Sequence, residues 1–262
     1  MAKSLKQATS QWDRYKKAAD AIKPRLIGLS DGEPGSRKTS FWLEGPGPIV
    51  VFSFDQGLEG VVERYQDDKD IYVKEYEWMP TEDTSQEDAQ TLRTDFEADF
   101  EHAIQHARTV LVDKETDLWE LYRYAEFGAP KDSPLNYPAL NQRYRRLINM
   151  PKATDINFGL IDGMKDEWVP KVNKKTGAQG AASSGARKRQ GFKELDGLVH
   201  IVLHHTGLGP DTWAIEVGKA RGPAGFEVAG GTYDYKLGED EFLTFGKFGT
   251  MVFPDTDESD WQ

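Results

Sequence analysis

Gly32-Glu33-Pro34-Gly35-Ser36-Arg37-Lys38-Thr39 decides how this chain is read. The octet matches G-x-x-x-x-G-K-[ST] at every fixed position except the glycine before the lysine, where Arg37 stands. A loop of this kind surrounds phosphate oxygens with consecutive backbone N–H groups at a helix N-terminus. The lysine neutralises the β/γ charge and the last hydroxyl ligates Mg²⁺. Gly32, Glu33, Pro34, Gly35, Ser36 and Arg37 are therefore the expected phosphate cradle, followed by Lys38, Thr39 and Ser40 at the start of a helix, with ATP and Mg²⁺ as the implied ligands. Arg37 puts a side chain where glycine lets the backbone approach the phosphates, so a distorted loop or a weaker grip is expected there.

Working outward, Arg25 to Ser30 is a short apolar run and Lys38 to Leu43 can start a helix, so the octet sits in a strand, loop and helix unit. Pro48 to Phe54 reads as a second strand. Met79 to His106 reads as a loop and an acidic surface helix with Phe96, Phe100, Ala103 and Ile104 one turn apart, leading into an apolar run from Arg108 to Asp113. Helices from Leu118 to Phe127 and from Ala139 to Asn149 precede a buried strand from Asp155 to Ile161. This alternation predicts an α/β fold with a mostly parallel sheet and helices on both faces. Further strands from Leu198 to Leu203, Thr212 to Val217, Tyr233 to Tyr235 and Glu241 to Phe245, joined by Gly-rich turns, put antiparallel strands toward the C-terminus. Two strand ends carry the carboxylates that nucleotide hydrolysis needs. Asp113 is placed to hold Mg²⁺, and Asp55, expected at the tip of the strand beside that of the loop, to activate water.

With 262 residues one core is the default, and residues 25 to 250 are expected to form it. Leu5, Ala8, Trp12, Tyr15, Ala19 and Ile22 recur at helical spacing, so residues 1 to 24 read as an appended helix for oligomerisation or docking, and residues 251 to 262 as an acidic tail. No apolar run approaches the roughly 18 residues of a membrane span, and the N-terminus lacks the apolar stretch of a secretory signal. The absence of cysteine removes disulfides and thiolate metal sites, so a cytoplasmic protein with no membrane partner is expected. His204 and His205 are adjacent and face opposite sides of a strand, which points to structural roles. A net charge of −11 argues against nucleic acid unless positive charge is concentrated locally. It is concentrated between residues 165 and 191, a Gly-, Ala- and Ser-rich stretch with little to bury, expected to be a mobile loop.

With these elements in place, residues 25 to 225 resemble the RecA-like recombinase core, and more closely the small phage-encoded ATPases of the Sak4 type associated with single-strand annealing. The resemblance rests on the octet, on Asp55-Gln56-Gly57-Leu58-Glu59, on Val110-Leu111-Val112-Asp113, on the basic stretch, and on Ile215-Glu216-Val217-Gly218-Lys219-Ala220-Arg221. It implies that Asp55 activates water, with Asp where bacterial recombinases usually carry Glu. Asp113 is the implied Walker B aspartate, supported by Glu115 and Thr116, and Asp162 stands where a polar sensor is usual. Lys171, Lys174, Lys175, Arg187, Lys188 and Arg189 would follow a single-stranded DNA backbone, with Trp168 and Phe192 flanking the loop to stack on bases. Lys219 and Arg221, on one face of a strand, would reach a neighbour's ATP, and Tyr65 is the nearest aromatic to the base-stacking position. The implied activity is DNA-dependent ATP hydrolysis by a ring or filament of copies that anneals or exchanges single strands in a phage's host cytoplasm. A single-strand-binding protein or other replication factor is a further implied partner. A helicase or loader ATPase, and a nucleotide-gated DNA-binding module with little turnover, would use the same residues.

Overall fold

The computed structural model describes residues 23–129, 137–172, 179–189 and 191–262. The expected N-terminal helix, Lys174 and Lys175 lie outside them.

The strands are β1 (Ile27–Gly32), β2 (Ile49–Ser53), β3 (Ile71–Glu75), β4 (Thr109–Asp113), β5 (Asn157–Ile161), β6 (Met164–Val172), β7 (Gln179–Arg189), β8 (Ile201–Gly207), β9 (Trp213–Lys219) and β10 (Thr232–Tyr235). The helices are α1 (Lys38–Leu43), α2 (Gln86–His106), α3 (Glu115–Phe127), α4 (Pro138–Asn149), α5 (Leu195–Leu198), α6 (Gly225–Val228) and α7 (Phe245–Val252). Eight strands make one sheet in the order β10-β9-β8-β1-β5-β4-β2-β3, parallel from β8 to β3, with β9 antiparallel to both β8 and β10. The expected α/β class, mostly parallel with an antiparallel C-terminal part, is what forms.

β1, β4 and β5 are buried at every residue, as expected for strands covered on both faces. Side chains alternate between two cores: Val110 and Val112 join Phe52, Phe96, Tyr122 and Tyr144 on the face of α2, α3 and α4, while Leu111 joins Phe41, Trp42 and Phe248 on the face of α1 and α7. α2 begins where it does because Ser85 and Asp88 form a reciprocal capping box. α1 lies close under the sheet because Gly28 and Gly159 make room for Trp42, whose Nε1 donates to Ser30 Oγ at 2.9 Å; a Cβ on Gly159 would meet the indole at 2.6 Å.

Three expectations are corrected. The basic stretch is an antiparallel β6–β7 hairpin, with Lys165 opposite Lys188 and a register shift between Asp166 and Trp168. Ladder bonding satisfies its backbone without requiring buried side chains. The stretch from Glu241 to Phe245 is no strand: a single bridge, Tyr235 to Leu243, leads into α7. Gly246 and Gly249 weaken the helical signal there. The same Gly249 lets the C-terminus dock, since a Cβ on it would lie 2.3 Å from the Trp261 ring. Residues 251 to 262 are thus no free tail: Val252 closes α7, and a 3-10 turn from Glu258 to Trp261 buries Trp261 stacked on Phe253. β3 was not expected, because an edge strand with Tyr72 60% and Val73 42% exposed carries no apolar run. Among the described residues no helix is long and apolar enough to cross a membrane.

Candidate nucleotide site

The octet leaves β1 at Gly32 and turns into α1 through Arg37, which adopts φ 64° and ψ 27°. This left-handed conformation is the one glycine reaches freely, and it costs an L-residue about 1 kcal/mol. Position 37 thus holds, with a side chain, the backbone conformation that glycine favours. The arginine side chain instead stacks over the Trp213 ring, 4.9 Å from its centroid. Lys38 Nζ folds across the loop, donating to Gly32 O (3.1 Å), Glu33 O (2.8 Å) and Ser36 Oγ (3.3 Å). Burial lowers the Lys38 pKa, opposed first by the charge of Asp113 and then by Asp31, Asp162 and Asp55.

β4 is separated from β1 by β5, yet Thr39 Oγ1 donates to Asp113 Oδ2 at 2.7 Å. Asp113 is 8% exposed, and burial pushes its pKa up to about 6 against the Thr39 hydrogen bond. Asp55 follows β2, which lies beside β4 and β3 and not beside β1, correcting the expected placement. It still reaches the site because Ser53, Asp113, Ile161 and Ser30 align in register along one edge of the sheet. Asp55 is exposed, and its Oδ1 accepts from Gly57 N at 3.0 Å. Pro34, Gly35, Lys38, Thr39, Asp55 and Asp113 line one cavity of about 540 Å³, which Asp162 and Met164 close from the β5 side. Arg37 and Ser40 border it as well, whereas Tyr65 does not. Tyr65 lines a different cavity with Glu44 and Lys69, away from the expected base-stacking position.

Asp162 directly follows β5 with both oxygens engaged. Oδ1 accepts from the Thr116 hydroxyl and from Gly163 N (2.7 Å), and Oδ2 pairs with Arg189 at 3.3 Å. Glu115, fully buried, accepts from Tyr144 OH at 2.7 Å and from Phe192 N at 3.3 Å. Burial, and then the Asp162 charge, push it up to about 8. Glu115 and Thr116 are thus engaged by residues at the base of the hairpin. Arg189 is corrected in the same way: its side chain is 11% exposed and pairs with Asp162 and with Asp196 (2.9 Å), so it is the hairpin's root and not a DNA contact. Phe192 is buried against Trp119, with ring centroids 4.7 Å apart. Arg187 pairs with Glu33 of the phosphate loop and Asp166, and donates to Met164 O at 3.0 Å, while Lys188 is exposed. The backbone of Lys171 lies in β6 opposite Gly180.

Lys219 closes β9 level with Val202, toward the opposite edge of the sheet, and its Nζ donates to Asp196 O and to Val199 O (2.6 Å). Arg221 is exposed and lies beyond the strand, so the pair does not share a strand face as expected. Neither residue lines the nucleotide cavity of its own chain. His204 Nδ1 meets Asp31 Oδ1 at 2.7 Å, and His205 Nε2 meets Ser30 Oγ at 3.1 Å. Among the described residues no group of three or more His, Asp or Glu is arranged to hold a metal ion.

The Asp162, Glu115 and Arg189 anchor was missed as a unit because its members are far apart in sequence and only the fold joins them. No family model matches the chain, and no curated protein matches it.

Proposed function

We propose that this protein is a RecA-like P-loop ATPase that binds Mg·ATP in the cavity between its phosphate loop and the ends of β2, β4 and β5, and that it acts on single-stranded DNA as an assembly of copies. The observation that carries this reading is the 2.7 Å hydrogen bond from Thr39 to Asp113. It joins the hydroxyl and the carboxylate that an octahedral cation needs beside nucleotide oxygens, since Mg²⁺ is usually held by one or two carboxylates and substrate phosphates. Mg²⁺, when bound, neutralises charge between the β- and γ-phosphates. The chain's own residues do the rest: loop N–H groups hold the phosphates, Lys38 offsets their charge, and Asp55 accepts a proton from the attacking water as the terminal P–O bond breaks. The placement of β5 between β1 and β4 supports the RecA-like assignment, as does the hairpin that follows β5. The exposed Lys188 of that hairpin supplies a cationic contact for DNA, and Arg187, now paired with Glu33 and Asp166, would join it only by exchanging those carboxylates for phosphate.

One observation favours a second reading, a nucleotide-gated DNA binder with little turnover: Asp162, in the sensor's place, is already engaged by Thr116, Gly163 and Arg189. Phosphate release from ATP with and without single-stranded DNA separates the two. DNA-stimulated turnover that Lys38→Ala abolishes supports the ATPase; ATP binding without turnover supports the binder; absence of ATP binding overturns both.

A further inference from the structure

Among the described residues, three cations border the nucleotide cavity, Arg37, Lys38 and Lys114, against the carboxylates Asp55, Asp113 and Asp162. Two of the cations are committed. The Arg37 guanidinium stacks on Trp213, and Lys38 Nζ donates to Gly32 O, Glu33 O and Ser36 Oγ within the loop. Lys114 is held more loosely, by an ion pair with Asp117 at 3.6 Å, and its side chain is 33% exposed. Its charge acts on Asp113, Asp117 and Glu120.

The fold itself gives little reason for a lysine at this position. Lys114 is the N-cap of α3, and its side chain makes no cap hydrogen bond. Ser, Thr, Asp and Asn are favoured there because their oxygens accept from the first free N–H groups, whereas the positive end of the helix dipole disfavours a cation. Asp117, in the first turn, offsets only part of that cost. The placement across the sheet is informative as well. Lys38 belongs to the loop after β1, whereas Lys114 follows β4, two strands away, between the ends of β5 and β2 that lead into Asp162 and Asp55. If Asp55 activates the attacking water, the terminal phosphate of a bound nucleotide faces this side of the cavity. A triphosphate brings there more negative charge than a diphosphate does, beside carboxylates that repel it. Asp162 cannot offset that charge, since it is an acid and is already engaged by Thr116, Gly163 and Arg189. Lys114 can.

We infer that Lys114 exchanges Asp117 for the terminal phosphate of a bound nucleoside triphosphate, and that this contact makes the site prefer triphosphate to diphosphate. The inference rests on the nucleotide reading above and assigns, within it, the side chain that tells the two nucleotides apart.

The test uses the full chain with Mg²⁺ and measures by calorimetry the affinity for ADP and for the β,γ-imido analogue of ATP, which is not hydrolysed. The natural protein is expected to bind the analogue more tightly. Lys114→Met should cut that preference about tenfold, the scale of one charge-assisted hydrogen bond, while ADP affinity stays within about twofold. Lys114→Arg should keep the preference. Because Lys114→Met also leaves Asp117 unpaired near the phosphates, Asp117→Asn serves as a second background. Adding Lys114→Met to Asp117→Asn should cut the preference by a similar factor, and this double variant, with no lone carboxylate left behind, decides the matter should the single one fail to fold. A natural protein that binds both nucleotides equally, or a preference that Lys114→Met leaves intact in the Asp117→Asn background, overturns the role of Lys114 and leaves the nucleotide reading standing. Binding of neither nucleotide by the natural protein overturns both together.

Discussion

The two ends of the strands each crowd a buried group with neighbours of its own sign. At the end where β1, β2, β4 and β5 finish, Asp31, Asp55, Asp113 and Asp162 lie near Lys38, with Lys114 and Arg189 among them, and burial, then Asp55 against the Thr39 hydrogen bond, pushes Asp113 up to about 6. At the other end, Arg25, Lys152, Lys219 and Arg221 all face His200, which burial and then these cations push down to about 4. In both places a charge is disfavoured by desolvation and by neighbours of its own sign. The assembly proposed above would use head-to-tail, heterologous contact between copies, the kind that builds rings or filaments. In the proposed reading Lys38, Thr39, Asp55 and Asp113 serve the nucleotide within one chain, whereas Lys219 and Arg221 do not line that cavity.

The largest expected effect breaks that comparison directly. Arg221→Ala should lower ATP hydrolysis by about a hundredfold or more, the scale of a lost arginine finger, while ATP binding and melting temperature stay unchanged because Arg221 is exposed. Mixing Arg221→Ala with Lys38→Ala should restore turnover, since one variant keeps the loop and the other keeps the arginine. Failure of the mixture to exceed either variant alone would confine Arg221 to its own chain. Lys219→Ala should additionally lower the melting temperature, because Val199 O and Asp196 O lose their donor.

A smaller effect sharpens the contrast through pH. A carboxyl whose folded pKa is raised contributes stability that is fully present below its unfolded value, about 3.9, and is lost as pH rises through the folded value, here about 6. Asp113 should therefore make the nucleotide-free protein more stable at pH 5 than at pH 7, by about 2 kcal/mol at most. Mg²⁺ needs the ionised form, so Mg·ATP affinity should fall as pH drops below about 6. Asp113→Asn should flatten the stability difference, measured by denaturant titration at the two pH values, and remove the part of the Mg²⁺ dependence that exceeds the nucleotide's own titration.

What was legible in the sequence was local. The octet, the apolar run ending in Asp113 and the run ending near Asp55 are contiguous patterns, and the sheet brings them to one edge because parallel strands in register finish together. The α/β class followed from alternation alone. What was illegible depends on long-range contact. Nothing near Arg189 signals that Asp162 and Asp196 hold it, so it read as one more cation in a basic run. Tyr65 was chosen by its distance along the chain, and the turn from Val62 to Arg64 carries it to another cavity. The acidic character of the last residues masked the buried Trp261, whose binding site is made by a glycine in a helix that the same glycine hides.

The smallest expected effect concerns Arg37, the one departure from the loop pattern. Its backbone already holds the left-handed conformation that a glycine would adopt, and its side chain is spent on Trp213, the first residue of β9. Arg37→Gly relieves strain of about 1 kcal/mol, but it loses a cation–π contact of about 0.5–1 kcal/mol and adds backbone entropy to the unfolded chain of similar size. The three nearly cancel, so stability should change by less than about 1 kcal/mol, and ATP affinity by no more than about twofold. Arg37→Ala keeps the strain and loses the stacking but avoids glycine's entropy cost, so it should be the less stable of the two variants by only the excess of strain over that cost, about 0.5 kcal/mol or less. Denaturant melts of both variants beside ATP titrations check this. A tenfold gain in ATP affinity for Arg37→Gly would mean that the arginine does distort the cradle. A Gly variant less stable than the Ala variant by the full entropy cost, about 0.5–1 kcal/mol, would mean that the left-handed turn is not what position 37 demands. The expected ordering instead makes Arg37 a stacked replacement for glycine, joining the phosphate loop to the start of β9.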